Sequence, residues 1–184
     1  MKNLRWILPS LVLAAVLSSG CIIISAQIFA HFALVNPIVL DSNLNPVHRE
    51  DVDLSTVKDY SDNKDKLKGL SDIAVVGKFT NTSGPAAGVE IWITPDPTTF
   101  ATVGEVQAGA QKLWGPGSIG AATAVHDLTW DESAKLFKAA GKKILIDEAL
   151  GDGKFTIYAI ITGPGPNVIR VDNGQLILTI DAGK

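Results

Sequence analysis

The sequence is poor in the residues that hold small domains together by covalent or metal cross-links. It contains one cysteine and three histidines in 184 residues. A single cysteine cannot form an internal disulfide or a zinc or iron–sulfur site of the cysteine type. Charged residues make up only 19% of the chain and hydrophobic residues 46%, and no collagen-type or heptad repeat is present. The composition therefore excludes a disordered chain, a collagen and a coiled coil, and the length favours one domain.

Clusters of basic residues are also lacking. The chain has 16 Lys and Arg residues against 19 Asp and Glu residues, which gives a formal net charge of −3. Proteins that bind nucleic acids neutralise phosphates with clustered Lys and Arg side chains. We therefore expect no nucleic-acid partner.

Catalytic motifs are absent as well. The sequence has no HExxH, no GxSxG, no phosphate-binding loop and no paired-glycine dinucleotide motif. His126-Asp127 offers an imidazole beside a carboxylate, but no nucleophile can be nominated for it. His48-Arg49-Glu50 is predicted to be a solvated turn. We predict a non-catalytic protein without a cofactor, and a carbohydrate-acting enzyme that uses Asp and Glu pairs is the least favoured alternative.

The N-terminus has the three parts of an export signal. Lys2 and Arg5 precede an apolar run over residues 6–17, and Ser18-Ser19-Gly20-Cys21 follows. The stretch over residues 16–21 resembles the lipobox of bacterial lipoproteins, with Leu17 one position earlier than the usual leucine. The resemblance implies that residues 1–20 are a signal peptide and that the thiol of Cys21 is acylated. It also implies an exported, palmitate-bearing protein anchored to the outer membrane or the cell surface.

Two alternatives to lipidation remain open for this leader. Ile22-Ile23-Ile24 continues the apolar run, so residues 6–24 are long enough to span about 30 Å of hydrocarbon as an uncleaved anchor. Ordinary cleavage, for example after Ala26, is the other alternative. In every case Lys2 and Arg5 stay cytoplasmic and the remainder is exported. Removal of the first 20 of 184 residues leaves 164 and changes the formal charge from −3 to −5.

The exported part is predicted to be mainly β. Residues 21–40 are interpreted as an anchor or tether followed by a first strand, which Pro37 restricts to a sheet edge or a bulge. Two β-rich runs, residues 73–80 and 87–94, flank Gly84-Pro85 and predict an antiparallel hairpin. Residues 95–129 are expected to be loop-rich, with a tight turn at Trp114-Gly115-Pro116-Gly117.

The C-terminal third contains the clearest helical pattern. It covers residues 131–150, and Gly141 is expected to end or bend the helix. Strands are then predicted at residues 155–162, 167–171 and 175–180, and the last two are joined by a hairpin turn at Asp172-Asn173-Gly174. Together these patterns predict residues 41–184 to form a single antiparallel β-sandwich, immunoglobulin-like or jelly-roll-like, with one or two short helices.

Two sets of residues are candidates for ligand contacts. Trp92, Trp114 and Trp130 would form an aromatic platform for a sugar or a peptide, although core packing is the favoured explanation. Asp59, Asp62 and Asp65 lie in a charged segment over residues 50–72, where a short helix is predicted around residues 60–67. Their oxygen atoms suit calcium, but their spacing lacks the ladder and the glycine of an EF-hand, so a solvated surface is preferred. Asn81-Thr82-Ser83 matches a glycosylation sequon and is interpreted as a turn.

The sequence as a whole favours a non-catalytic, membrane-anchored envelope lipoprotein that acts as a binding or structural module. Its expected partners are the membrane, through the lipid, and either an envelope protein or other copies of itself. The alternative is a filament or pilus-like subunit. In that case residues 22–40 would leave their own domain and complete the sheet of a neighbour.

Overall fold

The computed structural model describes residues 25–34, 36–95 and 97–183. Over these residues the chain forms two antiparallel sheets, which confirms the predicted β-sandwich. The predicted signal peptide and Cys21 lie outside the described residues. The strands are β1 (Ser25–Ala33), β2 (Ile38–Asp41), β3 (Val47–Asp53), β4 (Leu67–Ser83), β5 (Ala87–Thr94), β6 (Gln111–Ile119), β7 (Val125–Leu128), β8 (Lys154–Thr162) and β9 (Val168–Gly183). The α-helices are α1 (Lys58–Ser61), α2 (Val103–Gly109), α3 (Trp130–Ala134) and α4 (Ala139–Leu150).

The first sheet has the strand order β1-β9-β4-β7, and β2 also pairs with β9. β1 and β2 lie one after the other along the same side of β9, opposite residues 175–183 and 168–171 respectively. Pro37 lies in the break between them. The first strand is therefore an edge strand interrupted at the proline, as the sequence predicts.

The second sheet has the order β3-β8-β5-β6. The predicted hairpin between residues 73–80 and 87–94 is wrong, because β4 belongs to the first sheet and β5 to the second. The chain crosses between the sheets at Gly84, whose φ of 105° suits glycine. The Nδ2 of Asn81 donates to the carbonyl of Pro85 at 2.8 Å and holds this crossing. Hairpin and crossover use the same turn residues, so the local pattern did not separate them.

The predicted turn at residues 172–174 is also wrong, because β9 is continuous through it. Val76 pairs with Gln175 and Lys78 with Asp172, so β9 holds one extra residue there, which is a β-bulge. Asn173 adopts a φ of 54°, the left-handed conformation that Asn tolerates. The positive φ that the sequence suggests is real, but it bends a strand instead of reversing it.

The predicted helix over residues 131–150 is divided into α3 and α4. The break, at residues 135–138, lies along β6: the backbone NH of Gly115 donates to the carbonyl of Leu136 at 3.1 Å, and that of Lys138 donates to the carbonyl of Leu113 at 2.9 Å. Gly141 does not end the helix. A Cβ at this position would lie 2.4 Å from the carbonyl oxygen of Lys112, so glycine permits α4 to approach β6 closely.

The stretch predicted to be loop-rich, residues 95–129, contains α2, β6 and β7. The predicted tight turn at residues 114–117 lies inside β6, where Gly115 has a φ of 101° and the register with β5 shifts. The helix predicted around residues 60–67 is shorter and earlier: it is α1, followed by a 3₁₀ turn at Lys64–Lys66, and β4 starts at Leu67. In these segments the pairing of strands within the two sheets decides the structure, and the weak local sequence patterns do not.

The main core fills the space between the sheets, and a smaller cluster lies on the outer face of the second sheet. α2 covers that cluster, which consists of Val47, Val106, Ala110, Tyr158 and Ile160. Phe100 packs on Tyr158 with ring centroids 5.2 Å apart. On the first sheet, by contrast, Phe29 on β1, Val39 on β2 and Val125 on β7 are exposed. The two sheets therefore differ in how their apolar residues are covered.

Candidate functional site

One end of the sandwich contains Ser25, the described residue nearest in sequence to the predicted lipidation site. Ser25, the first residue of β1, pairs with Gly183, and Leu67 pairs with Ala182 at the same end of the first sheet. The Nζ of Lys64 lies 3.3 Å from the carbonyl oxygen of Asp152, so the start of β8 lies at this end too. We call it the Ser25 end. Cys21 precedes Ser25 by four positions, which is at most about 14 Å of extended chain.

A cleft of about 390 Å³ lies at the Ser25 end of the second sheet. Its walls include Asp51, Asp53, Asp152, Lys154 and Thr156, together with Pro95 and Pro97. The carboxylate of Asp51 accepts from Thr156 Oγ1 at 2.7 Å and pairs with Arg49 Nη2 at 2.7 Å. The cleft is therefore acidic at its rim, but this carboxylate is occupied by the protein itself.

Asp53, in the same cleft, is occupied in a similar way. Its carboxylate accepts from Ser55 Oγ at 2.6 Å and from the Ser55 backbone NH at 3.0 Å. Lys154 Nζ lies 3.2 Å from its other oxygen. The hydroxyl of Ser55, ahead of Lys154, holds the pKa of Asp53 below its usual value. Among the residues that the structure describes, no group of His, Cys, Asp and Glu side chains is arranged to hold a metal ion.

A second, smaller cavity lies between the sheets. It has a volume of about 30 Å³, enough for one or two water molecules, and its walls are apolar except for His48 and Glu50. The predicted solvated turn at residues 48–50 is wrong, because these residues belong to β3. His48 Nε2 lies 3.6 Å from Glu50 Oε2, and Glu50 is buried. Residues 48–50 of β3 are all polar, so their composition resembles that of a turn, and this resemblance explains the wrong prediction.

The three candidate tryptophans occupy three separate places, so the structure does not bring them together as a platform. Trp114 is 1% exposed in the main core, where its Nε1 donates to Ser133 Oγ at 3.1 Å. Trp130 lies at the start of α3 and donates from Nε1 to Asp72 Oδ2 at 2.8 Å. Core packing, the favoured explanation, holds for Trp114.

Trp92 belongs to a polar cluster on the outer face of the second sheet. Its Nε1 donates to Glu90 Oε2 at 3.1 Å, and Lys112 Nζ lies 5.0 Å from the centre of its ring. Lys112 also pairs with Glu90 Oε1 at 2.7 Å. Glu90 is only 6% exposed, so its carboxylate is balanced within the protein. This cluster was not predicted from the sequence; its signal is a glutamate at a strand position flanked by apolar residues.

The calcium candidates Asp59, Asp62 and Asp65 are all exposed. Asp62 forms an ion pair with Lys58 across α1. These three aspartates therefore lie on a solvated surface, which is the interpretation that the sequence favours.

The remaining motifs also have structural partners. His126 Nε2 lies 3.6 Å from Glu132 Oε2, and Glu132 forms the capping box of α3 with Thr129. The Asn81 of the sequon is buried in β4 instead of lying in a turn, and its Nδ2 also donates to the carbonyl of Gly120 at 2.9 Å. Both side chains therefore serve local structure.

In the described part of the chain, every helix is too short or too polar to cross a bilayer. Comparison with known proteins gave no match: no protein family model, no curated protein and no solved structure matches this chain.

Proposed function

We propose that this protein is a lipid-anchored, exported module of the cell envelope with a binding or structural role and no catalytic activity. One observation carries the proposal. The lipobox-like stretch ends at Cys21, and a regular nine-residue strand of the sandwich starts at Ser25. An acylated Cys21 would therefore be joined to a folded domain by Ile22-Ile23-Ile24 alone, and the lipid would lie within about 14 Å of Ser25.

The polar groups of the domain support a binding or structural role. Glu90 is balanced by Lys112, Asp53 by Ser55 and Lys154, and Glu132 by the start of α3. A general base or nucleophile needs a free reactive atom that faces a substrate. These groups instead hold strands and helices in place, as in a module that presents a surface.

Palmitate labelling of Cys21 variants tests the anchor. The full chain would be expressed in a bacterial host with labelled palmitate, next to Cys21→Ala and the matched leader variant Ser19→Ala. We expect label and membrane association in the wild type and in Ser19→Ala, and loss of label in Cys21→Ala. An unlabelled wild type, or label that persists in Cys21→Ala, would contradict lipidation.

Strand exchange remains the second candidate function, and the position of β1 favours it. β1 is an edge strand that ends before the break at residues 34–37, so the same nine pairs with β9 are available from a neighbouring copy. Phe29 and Thr179 face each other in this pairing. In the double variant Phe29→Cys/Thr179→Cys, an exchanged strand would give disulfides between chains, whereas disulfides confined to single chains would rule out exchange.

A further inference from the structure

In the described residues the first sheet ends in β1 and β2 on one side and in β7 on the other, and the second sheet ends in β3 and β6. All of these edge strands except β1 are protected. β2 and β7 are only four residues long. β6 is covered by backbone hydrogen bonds to residues 136–138. β3 carries five ionisable side chains in seven residues, with the sequence VHREDVD. Short length, coverage and charge are the usual ways in which proteins prevent edge strands from pairing with other chains.

The remaining edge, β1, lacks the short length and the charge that protect the others, and helix α1 contacts the strand without pairing with it. Its sequence, SAQIFAHFA, contains no proline, lysine or carboxylate over nine residues. Its register with β9 runs from Ser25 to Ala33 without a bulge. Within residues 25–34, 36–95 and 97–183, the other side of β1 has no partner strand. Such a long, regular and uncharged edge is a template for the addition of a strand.

The side chains on the outer face of β1 are arranged symmetrically. Phe29 stands at the centre of the strand and is 52% exposed. Gln27 and His31 lie two positions to either side, and both are exposed on the same face. The order polar–aromatic–polar is kept when the strand is read in reverse, although Gln27 and His31 differ. A two-fold axis through Phe29 therefore brings the two aromatic rings together and a polar side chain opposite each polar side chain.

We infer that β1 pairs antiparallel with β1 of a second copy, about a two-fold axis through Phe29. The two Phe29 rings then lie opposite each other, and Gln27 of each copy faces His31 of the other. Aromatic pairs and hydrogen-bonding pairs are favourable across antiparallel strands. The pairing joins the two first sheets into one continuous sheet, and it satisfies backbone groups that would otherwise bond to water.

The pairing is independent of the proposed lipid anchor, although an anchor would favour it. Confinement to a membrane raises the effective concentration of the copies, which strengthens a small interface. The two Ser25 ends of the paired strands would lie about 27 Å apart. Both anchors can reach one bilayer if the paired strands run along its surface.

Cysteine cross-linking in membranes of cells that express the full chain tests the pairing and its register. Facing residues have Cα atoms about 4.5–5.5 Å apart, within the range of a disulfide. Phe29→Cys should therefore give a disulfide-linked homodimer on mild oxidation. The matched control is Val125→Cys, which places a thiol at an equally exposed apolar position on the other edge of the same sheet. It should stay monomeric, as should the wild type with Cys21 alone.

The register provides a second criterion. Gln27 faces His31 of the other copy, so Gln27→Cys and His31→Cys should each give little homodimer, whereas the double variant should give it strongly. Any one of four results would overturn the proposal. Phe29→Cys could give no homodimer, or Val125→Cys could give as much homodimer as Phe29→Cys. The two single variants could give as much homodimer as the double variant, or the thiols could link only to a different protein. A homodimer of chains with an intact N-terminus would refute the lipid anchor and support the pairing. An acylated chain that gives no homodimer would refute the pairing and support the lipid anchor.

Discussion

β6 and β1 are both outermost strands, but the protein treats their edges differently. β6 is covered by residues 136–138, and Trp114 in its centre is 1% exposed. In the described residues β1 ends the first sheet without a partner strand on its outer side, and Phe29 in its centre is 52% exposed. The chain thus uses the segment between α3 and α4 to close one edge, and it leaves the edge that follows the lipobox-like stretch without a partner strand. The edge at β6 therefore maintains the fold, whereas the edge at β1 is suited to assembly with a second copy.

The closed edge depends on one serine. Ser133 Oγ accepts from the backbone NH of Val75 at 2.7 Å and from Trp114 Nε1 at 3.1 Å. It therefore links α3 to β4 of the first sheet and to β6 of the second. At β1, by contrast, the side-chain link to β4 is an exposed hydrogen bond from Gln27 Nε2 to Ser71 Oγ at 3.4 Å. Substitutions at the two edges should therefore have very different effects on stability.

The largest effect is expected for Trp114→Ala. Loss of a large buried aromatic side chain leaves a cavity and typically costs about 3–5 kcal/mol of unfolding free energy. Val125→Ala, at an exposed position, is the matched control and should change stability by less than about 0.5 kcal/mol. Urea unfolding followed by far-UV circular dichroism measures both. Equal stability of Trp114→Ala and wild type would show that the closed edge is not part of the cooperative core.

Ser133→Ala should have the next largest effect. It leaves the buried backbone NH of Val75 without its acceptor, which costs about 1–3 kcal/mol, while Trp114 Nε1 keeps the backbone carbonyl of Ser133 at 3.1 Å. Ser118→Ala, an exposed serine of β6, is the control and should be nearly neutral. Urea midpoints compare the two variants. A destabilisation from Ser118→Ala as large as that from Ser133→Ala would argue against the link.

The start of α3 should make the closed edge sensitive to acid. Hydrogen bonds from the backbone and hydroxyl of Thr129 hold the pKa of Glu132 below its usual value of 4.5. The stabilisation is therefore complete above pH 4.5 and is lost as the pH falls through the lower folded value. Glu132→Gln should show a smaller loss of stability between pH 6 and pH 3 than the wild type. If Asp131→Asn, the neighbouring control, flattens the pH profile equally, the cap is not the cause.

The smallest effect on stability is expected for Phe29→Ala at the open edge. An exposed side chain contributes little to folding, so the unfolding free energy should change by less than about 0.5 kcal/mol. Urea unfolding of a dilute, monomeric sample checks this. A large destabilisation would mean that Phe29 belongs to the fold and would remove the contrast between the two edges.

The sandwich could be predicted from the sequence because its strands alternate and its turns recur at short intervals. Val89, Ile91 and Ile93 are buried as their alternation predicts. The partners of strands were harder to predict. Gly84-Pro85 marks a crossover and Asn173-Gly174 a bulge, yet both look like hairpin turns, because positive φ and turn propensity do not specify which strands pair.

The candidate site residues show the same contrast between local patterns, which could be predicted, and distant partners, which could not. The burial of Trp114 was the favoured expectation, since apolar side chains enter cores without a special partner. The place of His48 and Glu50 in β3 could not be predicted, because this strand pairs with β8, which lies far away along the chain. The charge balance of Glu90 needs Lys112 from a different strand, 22 residues away. Cys21 remains a prediction from local sequence alone.

Native mass spectrometry of the protein extracted from membranes tests both the lipid anchor and the pairing of β1. It measures the N-terminus, the lipid and the assembly state in one spectrum. We expect a chain that begins at Cys21, carries a diacylglycerol group and occurs as a dimer that Phe29→Lys abolishes and Val125→Lys preserves. A monomeric chain with an unmodified, uncleaved N-terminus would contradict this expectation.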